Sequence, residues 1–203
     1  MLTALLTALA ITAGAPVEQT PAACAYDQAT MLALDQQQFD QDVSGGGGGW
    51  RAVAARPGCE RAAADLIRDY RAAHPGSPRL LFWHEGQLRA FTGDYAAATA
   101  LMQASMMPAE EDRGGWNPYV EATLAFLRHD AAALAKARKT LAAVPAPPDL
   151  PPVKDGHVEL PLPDGQLVKM RWPPNVDVVD GLARCIDKPY VEAYGAACRE
   201  RGD

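Results

Sequence analysis

Few side chains of this chain have the type and spacing that catalysis requires. The three serines, Ser44, Ser77 and Ser105, lie outside any Gly-x-Ser-x-Gly motif, the local sequence that carries the nucleophile of many hydrolases. The four histidines, at positions 74, 84, 129 and 157, are not spaced to share one helix face, and His84-Glu85 lacks the second histidine of a zinc-protease helix. We therefore predict no metal site and no cofactor, and we favour a protein that is not an enzyme.

Glu85 is the best candidate for acid chemistry. Cleavage of a glycan requires only two carboxylates in a groove, and Glu85 lies within an apolar helical segment, residues 80–91. It also precedes Arg89 by four residues, the order in which an acid and a base pair favourably on a helix. We expect the pair with Arg89. The alternative function is a cell-envelope enzyme that acts on glycan or peptide through Glu85, with His84 nearby.

The segments that position these residues form three helical hairpins. Hydrophobic periodicity predicts helices at residues 50–56, 59–73, 80–92, 95–106, 117–127 and 131–144. The turns inside the hairpins align at Gly58, Gly93 and His129, at intervals of 35 residues (58 to 93) and 36 residues (93 to 129). Such a spacing predicts a repeat protein, because tetratricopeptide units recur at about 34 residues.

The middle hairpin resembles a tetratricopeptide repeat most closely. Gly86 matches the small residue of the first helix, Gly93-Asp94-Tyr95 the turn, Ala98 the small residue of the second helix, and Pro108 the end of the unit. The resemblance weakens in the hairpins on either side. It implies a mostly α fold of stacked antiparallel helical hairpins, an α-α superhelix, in which Gly86 and Ala98 let two helices cross closely.

The resemblance also implies a binding groove, because the first helices of such arrays line a concave surface. Five side chains of these helices are then expected to face the groove: Trp83, Gln87, Trp116, Tyr119 and Thr123. Trp and Tyr dominate binding hot spots, so Trp83, Trp116 and Tyr119 are predicted anchors, with His84 or Arg89 orienting polar groups. The alternative is that these rings pack in the core between units.

These observations predict a binding or scaffold protein that recognises a protein or peptide segment. A purely structural subunit of an envelope complex is a further possibility. The net charge of −6 and the pI of about 5.2 argue against a nucleic-acid partner, because phosphates require clustered Lys and Arg. A membrane surface is disfavoured for the same reason.

The N-terminus indicates export. Residues 1–15 carry no charge, and an apolar run from residue 2 to residue 13 ends in Ala13-Gly14-Ala15, which is typical of a signal peptide. We expect a periplasmic or secreted protein with no stable membrane insertion after signal removal; an N-terminal core helix is the alternative.

The four cysteines that follow, with no Cys-x-x-Cys pair, predict two disulfides. Of three possible connectivities we favour Cys24–Cys59 and Cys185–Cys198, because each joins neighbours along the chain.

The remaining segments flank the repeats at 50–145. Residues 16–49 are expected to hold one helix, at 26–39, and a glycine-rich loop. Residues 146–203 begin with a Pro-rich linker and continue as a β-hairpin around Pro163-Asp164-Gly165. A three-residue loop pairs Leu160 with Val168, Val158 with Met170 and Glu159 with Lys169, and the apolar face is expected to pack on the last repeat. Two helices, 176–186 and 190–200, then close the domain.

Overall fold

The computed structural model describes residues 21–41, 48–162 and 165–199. The predicted signal peptide, most of the glycine run and the loop residues 163–164 lie outside the described residues. The helices are α1 (Gln28–Leu32), α2 (Gly49–Ala54), α3 (Glu60–Ala73), α4 (Arg79–Phe91), α5 (Tyr95–Ala104), α6 (Trp116–Leu127), α7 (Ala131–Ala142), α8 (Val176–Arg184), α9 (Tyr190–Ala193) and α10 (Ala196–Arg199). The strands β1 (His157–Pro161) and β2 (Leu167–Arg171) form an antiparallel pair.

The helices from α2 to α7 form three antiparallel hairpins that stack in chain order. The hairpins are α2 with α3, α4 with α5, and α6 with α7, and neighbouring hairpins meet where α3 packs on α4 and α5 on α6. The predicted fold class is therefore confirmed. None of the helices in the described part of the chain has the length and apolar character that a bilayer span requires.

The turn residues of the three hairpins share one backbone conformation. Gly58, Gly93 and His129 all have positive φ, at 77°, 81° and 54°. Left-handed backbone at this point reverses the chain after a helix, and glycine adopts it without a steric penalty. The alignment of the three turns in the sequence thus corresponds to an equivalence in the structure.

The second and third turns are alike in their hydrogen bonds as well. The backbone N–H of Asp94 donates to the carbonyl of Arg89, and that of Asp130 donates to the carbonyl of Ala125, both at 2.9 Å. Each aspartate then caps the next helix by accepting from the backbone N–H three residues later. The first turn has no such cap, because Cys59 occupies the equivalent position and forms a disulfide instead.

Gly86 brings α4 and α5 into close contact, as predicted. A Cβ atom at this position would lie 2.9 Å from Cγ of Met102 and 3.2 Å from the carbonyl oxygen of Ala98. Both distances are shorter than a normal contact, so only glycine fits. The spacing of Gly86 and Ala98 in the middle hairpin therefore serves helix packing.

Two hydrophobic clusters lie on opposite sides of α4. Leu81 and Leu88 belong to the cluster around α2, α3 and the N-terminal segment, whereas Trp83 and Ala90 belong to the cluster around α6, α7 and α8. Phe91 packs against both. The α4 helix is therefore buried on two faces and joins the two ends of the molecule.

The N-terminal segment differs from the prediction. In place of one helix over 26–39, the structure has the short α1 and a wide helical turn at Gln37–Gln41. The break arises from a reciprocal cap: the backbone N–H of Gln38 donates to Oδ1 of Asp35 at 2.8 Å, and that of Asp35 donates to Oε1 of Gln38 at 3.3 Å. This pair starts a new helical turn and ends the first helix early. The disulfide Cys24–Cys59 ties the segment to the first hairpin, as predicted.

The β-hairpin has the predicted register. Leu160 pairs with Val168, Val158 with Met170 and Glu159 with Lys169. Gly165 has φ of 83°, the left-handed conformation expected of it.

The hairpin packs only at its base. Val158 is fully buried, and the indole Nε1 of Trp172 donates to the carbonyl of Val144 at the end of the last repeat, at 3.1 Å. Towards the tip, however, Val168 of the same face is 43% exposed. The expectation that the apolar face packs on the last repeat is therefore met at Val158 and not at Val168.

The C-terminal helices fold back over the array. α8 packs on α6 and α7, and α9 packs on α4. The predicted helix at 190–200 is instead two short helices, α9 and α10, separated at Gly195, a residue with low helix propensity. The disulfide Cys185–Cys198 joins the end of α8 to α10, as predicted.

Candidate functional site

The predicted aromatic anchors lie together, but inside the protein. The ring centroids of Trp83 and Trp116 are 5.0 Å apart, those of Trp83 and Tyr119 are 4.8 Å apart, and those of Trp116 and Tyr119 are 5.8 Å apart. Trp83 is only 4% exposed and Tyr119 only 2%, and Thr123 is fully buried. The structure places these side chains in the core between the second and third hairpins, not in an open groove. Their role in binding stays a prediction.

The chain's own C-terminal helices cover these residues. Tyr190 of α9 stacks against Phe91 of α4 at 5.5 Å and against Phe126 of α6 at 5.9 Å. Burial raises the pKa of the Tyr119 hydroxyl well above its ordinary value, and the neighbouring hydroxyls of Tyr190 and Tyr194 raise it further. This contact between distant segments was not predicted from the sequence. The only signal was the pair of tyrosines four residues apart, which places both rings on one face of a helical turn.

His84 contacts the N-terminal segment instead of a ligand. Its Nδ1 lies 2.7 Å from Oδ1 of Asp40, a carboxylate with no solvent exposure. The same oxygen accepts from the indole Nε1 of Trp50 at 2.8 Å, and Oδ2 accepts from Nε2 of Gln41 at 2.6 Å.

The electrostatics of Asp40 follow from these contacts. Burial acts to raise the pKa of Asp40, but the hydrogen bond and the charge of His84 oppose it, with further hydrogen bonds from Trp50 and Gln41. The result is a pKa below the ordinary value. Asp40 is therefore a buried carboxylate that holds the N-terminal segment on α4.

Glu85 and Arg89 form the predicted ion pair, at 3.4 Å, within a larger network. The closer partner of Glu85 is Arg71 of α3, whose Nη2 and Nε donate to Oε2 at 2.7 and 3.1 Å. Arg89 also donates to Asp65 at 2.7 Å. Each carboxylate oxygen of Glu85 thus faces a guanidinium, and the side chain is almost fully buried between α3 and α4. The arrangement joins two helices and offers no observation that favours catalysis by Glu85.

One cavity remains open on the groove side of the array. This groove cavity, of about 390 Å³, lies between α2, α3, α4 and α9 and is lined by Trp50, Ala54, Glu60, Gln87, Leu88, Phe91 and Val191. Gln87 is the one predicted site residue that lines it. The Gln87 amide faces the Tyr190 hydroxyl, but the contact falls short of normal hydrogen-bond geometry within the described residues. Val191 is 51% exposed at the rim.

The walls of the groove cavity are mainly apolar. Trp50, Leu88 and Phe91 present rings and an aliphatic side chain, while Gln87 and Glu60 supply the polar groups. Apolar walls with a few polar groups are typical of sites that take up a side chain or a small ligand. The groove cavity is therefore the candidate binding site for a protein or peptide segment.

Comparisons with known proteins identify no relative from which a function could be inferred. No protein-family model, curated protein or solved structure matches it. The likeness to tetratricopeptide repeats consequently remains a resemblance in turn residues and spacing. What the chain can do follows from its own stacked hairpins and from the groove cavity beside α4.

Proposed function

We propose that this protein is an exported binding or scaffold module that recognises a segment of a protein or peptide in the groove cavity. One observation supports the proposal above the others. The C-terminal helices fill the groove beside α6, yet they leave it open beside α2, where the walls are apolar and Val191 is exposed at the rim. One half of the groove is thus occupied by the chain's own C-terminal helices, and the other half is open to a partner.

The chemistry of the cavity describes the segment it would bind. Trp50, Leu88 and Phe91 favour a bulky aliphatic or aromatic side chain, since burial of such a side chain contributes about 1.5–3 kcal/mol. Gln87 can hydrogen-bond a backbone amide or carbonyl of the same segment. Glu60 at the cavity favours a neighbouring Lys or Arg. We therefore expect a segment with one large apolar residue beside a basic one.

The two disulfides support export. Disulfides form and persist in oxidising compartments and are rare in the cytosol. Together with the predicted signal peptide they favour a periplasmic or secreted protein, where a partner protein would be met outside the cytoplasm. The acidic net charge of −6 is consistent with a protein partner and unfavourable for nucleic acid.

Selection from a displayed random-peptide library tests the proposal. The wild-type protein is expected to enrich peptides that share a large apolar residue next to a basic one. Val191→Glu puts a charge at the rim, and Ala54→Phe fills the cavity; each is expected to abolish enrichment. Val153→Glu is the matched control, because Val153 is similarly exposed, at 41%, and lies outside the cavity.

The variants also define the result that would contradict the proposal. Enrichment of the same peptides by Val191→Glu and Ala54→Phe, with unchanged thermal unfolding midpoints, would show that the segment binds elsewhere. Absence of any enrichment by the wild-type protein would remove the binding function from this cavity. Circular dichroism of each variant separates loss of binding from loss of the fold.

A further inference from the structure

A second cavity lies at the opposite end of the molecule, between the polar face of the β-hairpin and the C-terminal helices. This hairpin cleft has a volume of about 510 Å³. Its charged side chains are Lys169, Arg171, Asp177, Asp180, Arg184 and Arg199. Four cations therefore face two carboxylates, a surplus of positive charge on a chain whose net charge is −6.

Both carboxylates of the hairpin cleft already have cationic partners. Asp177 pairs with Arg199 at 3.3 Å, and Asp180 pairs with Arg138 of α7 at 2.8 Å. Within the described ranges, no carboxylate lies at ion-pair distance from Lys169, Arg171 or Arg184. These three cations therefore have no direct ion-pair partner in the described residues, although Glu159 lies opposite Lys169 in the register of the hairpin.

Arg184 is held in place by hydrogen bonds, and Lys169 and Arg171 share one face of the hairpin. Lys169 and Arg171 are two residues apart on β2, so both side chains lie on the same face of the hairpin. Nε and Nη2 of Arg184 donate to the backbone carbonyls of Cys198 and Arg199, at 2.8 and 2.7 Å. These bonds fix the direction of the guanidinium and leave its charge uncompensated, because carbonyl groups are neutral.

Close packing also keeps two arginines together at the end of α8. A Cβ atom at Gly181 would lie 2.9 Å from Cγ of Arg199, so the glycine allows α10 to approach α8. The disulfide Cys185–Cys198 joins the same two helices. Arg199 is paired with Asp177, whereas Arg184 has no carboxylate partner in the described residues, so the two neighbouring guanidinium groups retain a net positive charge. An anion bound between them would compensate that charge.

We propose that the hairpin cleft binds a phosphomonoester group, carried by a small molecule or by a lipid headgroup. A phosphomonoester has a charge of roughly −2 at neutral pH, which is complementary to the excess of cations over carboxylates that line the cleft. Guanidinium groups donate to phosphate oxygens in pairs, and lysine adds a mobile charge. The cleft is also larger than a phosphate group alone, so there is room for an organic body.

Isothermal titration calorimetry of the full chain with phenyl phosphate tests the proposal. Saturable one-to-one binding is expected. The double variant Lys169→Gln/Arg171→Gln should weaken it about 100-fold, since each charged hydrogen bond contributes on the order of a factor of ten. The matched control is Lys136→Gln/Lys139→Gln on α7, which changes the net charge equally, lies outside the cleft and should leave the affinity unchanged. Asp177→Asn should tighten binding, because it releases Arg199.

Further measurements test the site, the choice of a phosphomonoester and the source of the phosphate group. Equal weakening by the control double variant would show non-specific attraction and overturn the site, as would the absence of binding by a wild-type protein with a normal unfolding midpoint. Succinate that binds as tightly as phenyl phosphate would overturn the choice of a phosphomonoester. Phosphatidylcholine vesicles containing phosphatidic acid distinguish the two sources. Binding to them that phenyl phosphate displaces supports a lipid headgroup, and binding of phenyl phosphate alone supports a soluble ligand.

Discussion

The two ends of the hairpin array are both closed by a disulfide, but the charged group at the N-terminal end is buried and paired, whereas the cations at the C-terminal end are exposed. At the N-terminal end, the fully buried carboxylate of Asp40 is bound by Trp50, His84 and Gln41. At the C-terminal end, Lys169 and Arg171 face a cavity with no carboxylate partner in the described part of the chain. The first end satisfies its polar groups internally, as a structural element does, whereas the second leaves them available to a ligand.

This difference separates stability from function within one small domain. Satisfied buried polar groups make a unique fold, and removing one partner leaves the other unpaired at a cost. Lys169 and Arg171 are exposed and have no ion-pair partner in the described residues, so they contribute little to folding and are available to a ligand. We therefore expect substitutions at the N-terminal end to lower stability, and substitutions in the hairpin cleft to alter binding with little effect on stability.

Removal of the disulfides is expected to have the largest effect, and to affect the N-terminal end more. Cys24 and Cys59 are 35 residues apart, whereas Cys185 and Cys198 are 13 apart. On the chain-entropy account the longer loop contributes about 4 kcal/mol and the shorter about 3 kcal/mol. Denaturant unfolding of the two Cys→Ala double variants measures both values. Equal or reversed losses in the free energy of unfolding would mean that the Cys185–Cys198 disulfide stabilises the fold by more than closing its loop.

Substitution of one aspartate at each end should give the next largest effect. Asp40→Ala leaves the Trp50 indole and His84 unpaired in a buried site, so we expect a loss of about 3 kcal/mol in the free energy of unfolding. Asp180→Ala is the matched variant. Its partner Arg138 has a side chain that is 42% exposed, so the guanidinium stays hydrated after the substitution and the loss should be under about 1 kcal/mol. Similar losses in urea unfolding would show that the two ends do not differ as described.

The smallest effect is a dependence on pH that the buried Asp40 gives to the N-terminal end. The pKa of Asp40 is lower in the folded protein than its ordinary value of 3.8. Its ionised form therefore stabilises the fold above about pH 4, and this contribution is lost as the pH falls through the folded-state pKa. The difference in the free energy of unfolding between the wild type and Asp40→Asn should shrink from pH 5 towards pH 2. Both proteins retain the other carboxylates, so these largely cancel. A difference that is constant with pH would contradict the assignment.

Local features of the structure could be predicted from the sequence. The turns at Gly58, Gly93 and His129, the register around Gly165 and both disulfides follow from residues that lie near one another along the chain. Backbone conformation at a turn and pairing across a tight hairpin depend on few residues, which is why short patterns predict them.

Long-range packing could not be predicted in the same way. His84 and Asp40 are 44 residues apart, and nothing in either segment indicates the other. The spacing on α4 predicts the partner Arg89 for Glu85, while the closer partner, Arg71, comes from α3. The periodicity gives no sign that α9 returns over α4, so the sequence predicts a groove where the aromatic anchors are in fact buried. Which faces meet is decided by the whole core and not by a local pattern.

The double contact of Tyr190 has a consequence for the size of the protein. The Tyr190 ring contacts Phe91 of the second hairpin and Phe126 of the third, so the contact depends on these two hairpins being neighbours. Insertion of another hairpin between them would move the two phenylalanines apart and leave the ring with one neighbour. Gene duplication is the usual route by which solenoids lengthen. At this junction it would cost the Tyr190 contact, so the contact favours the present number of hairpins.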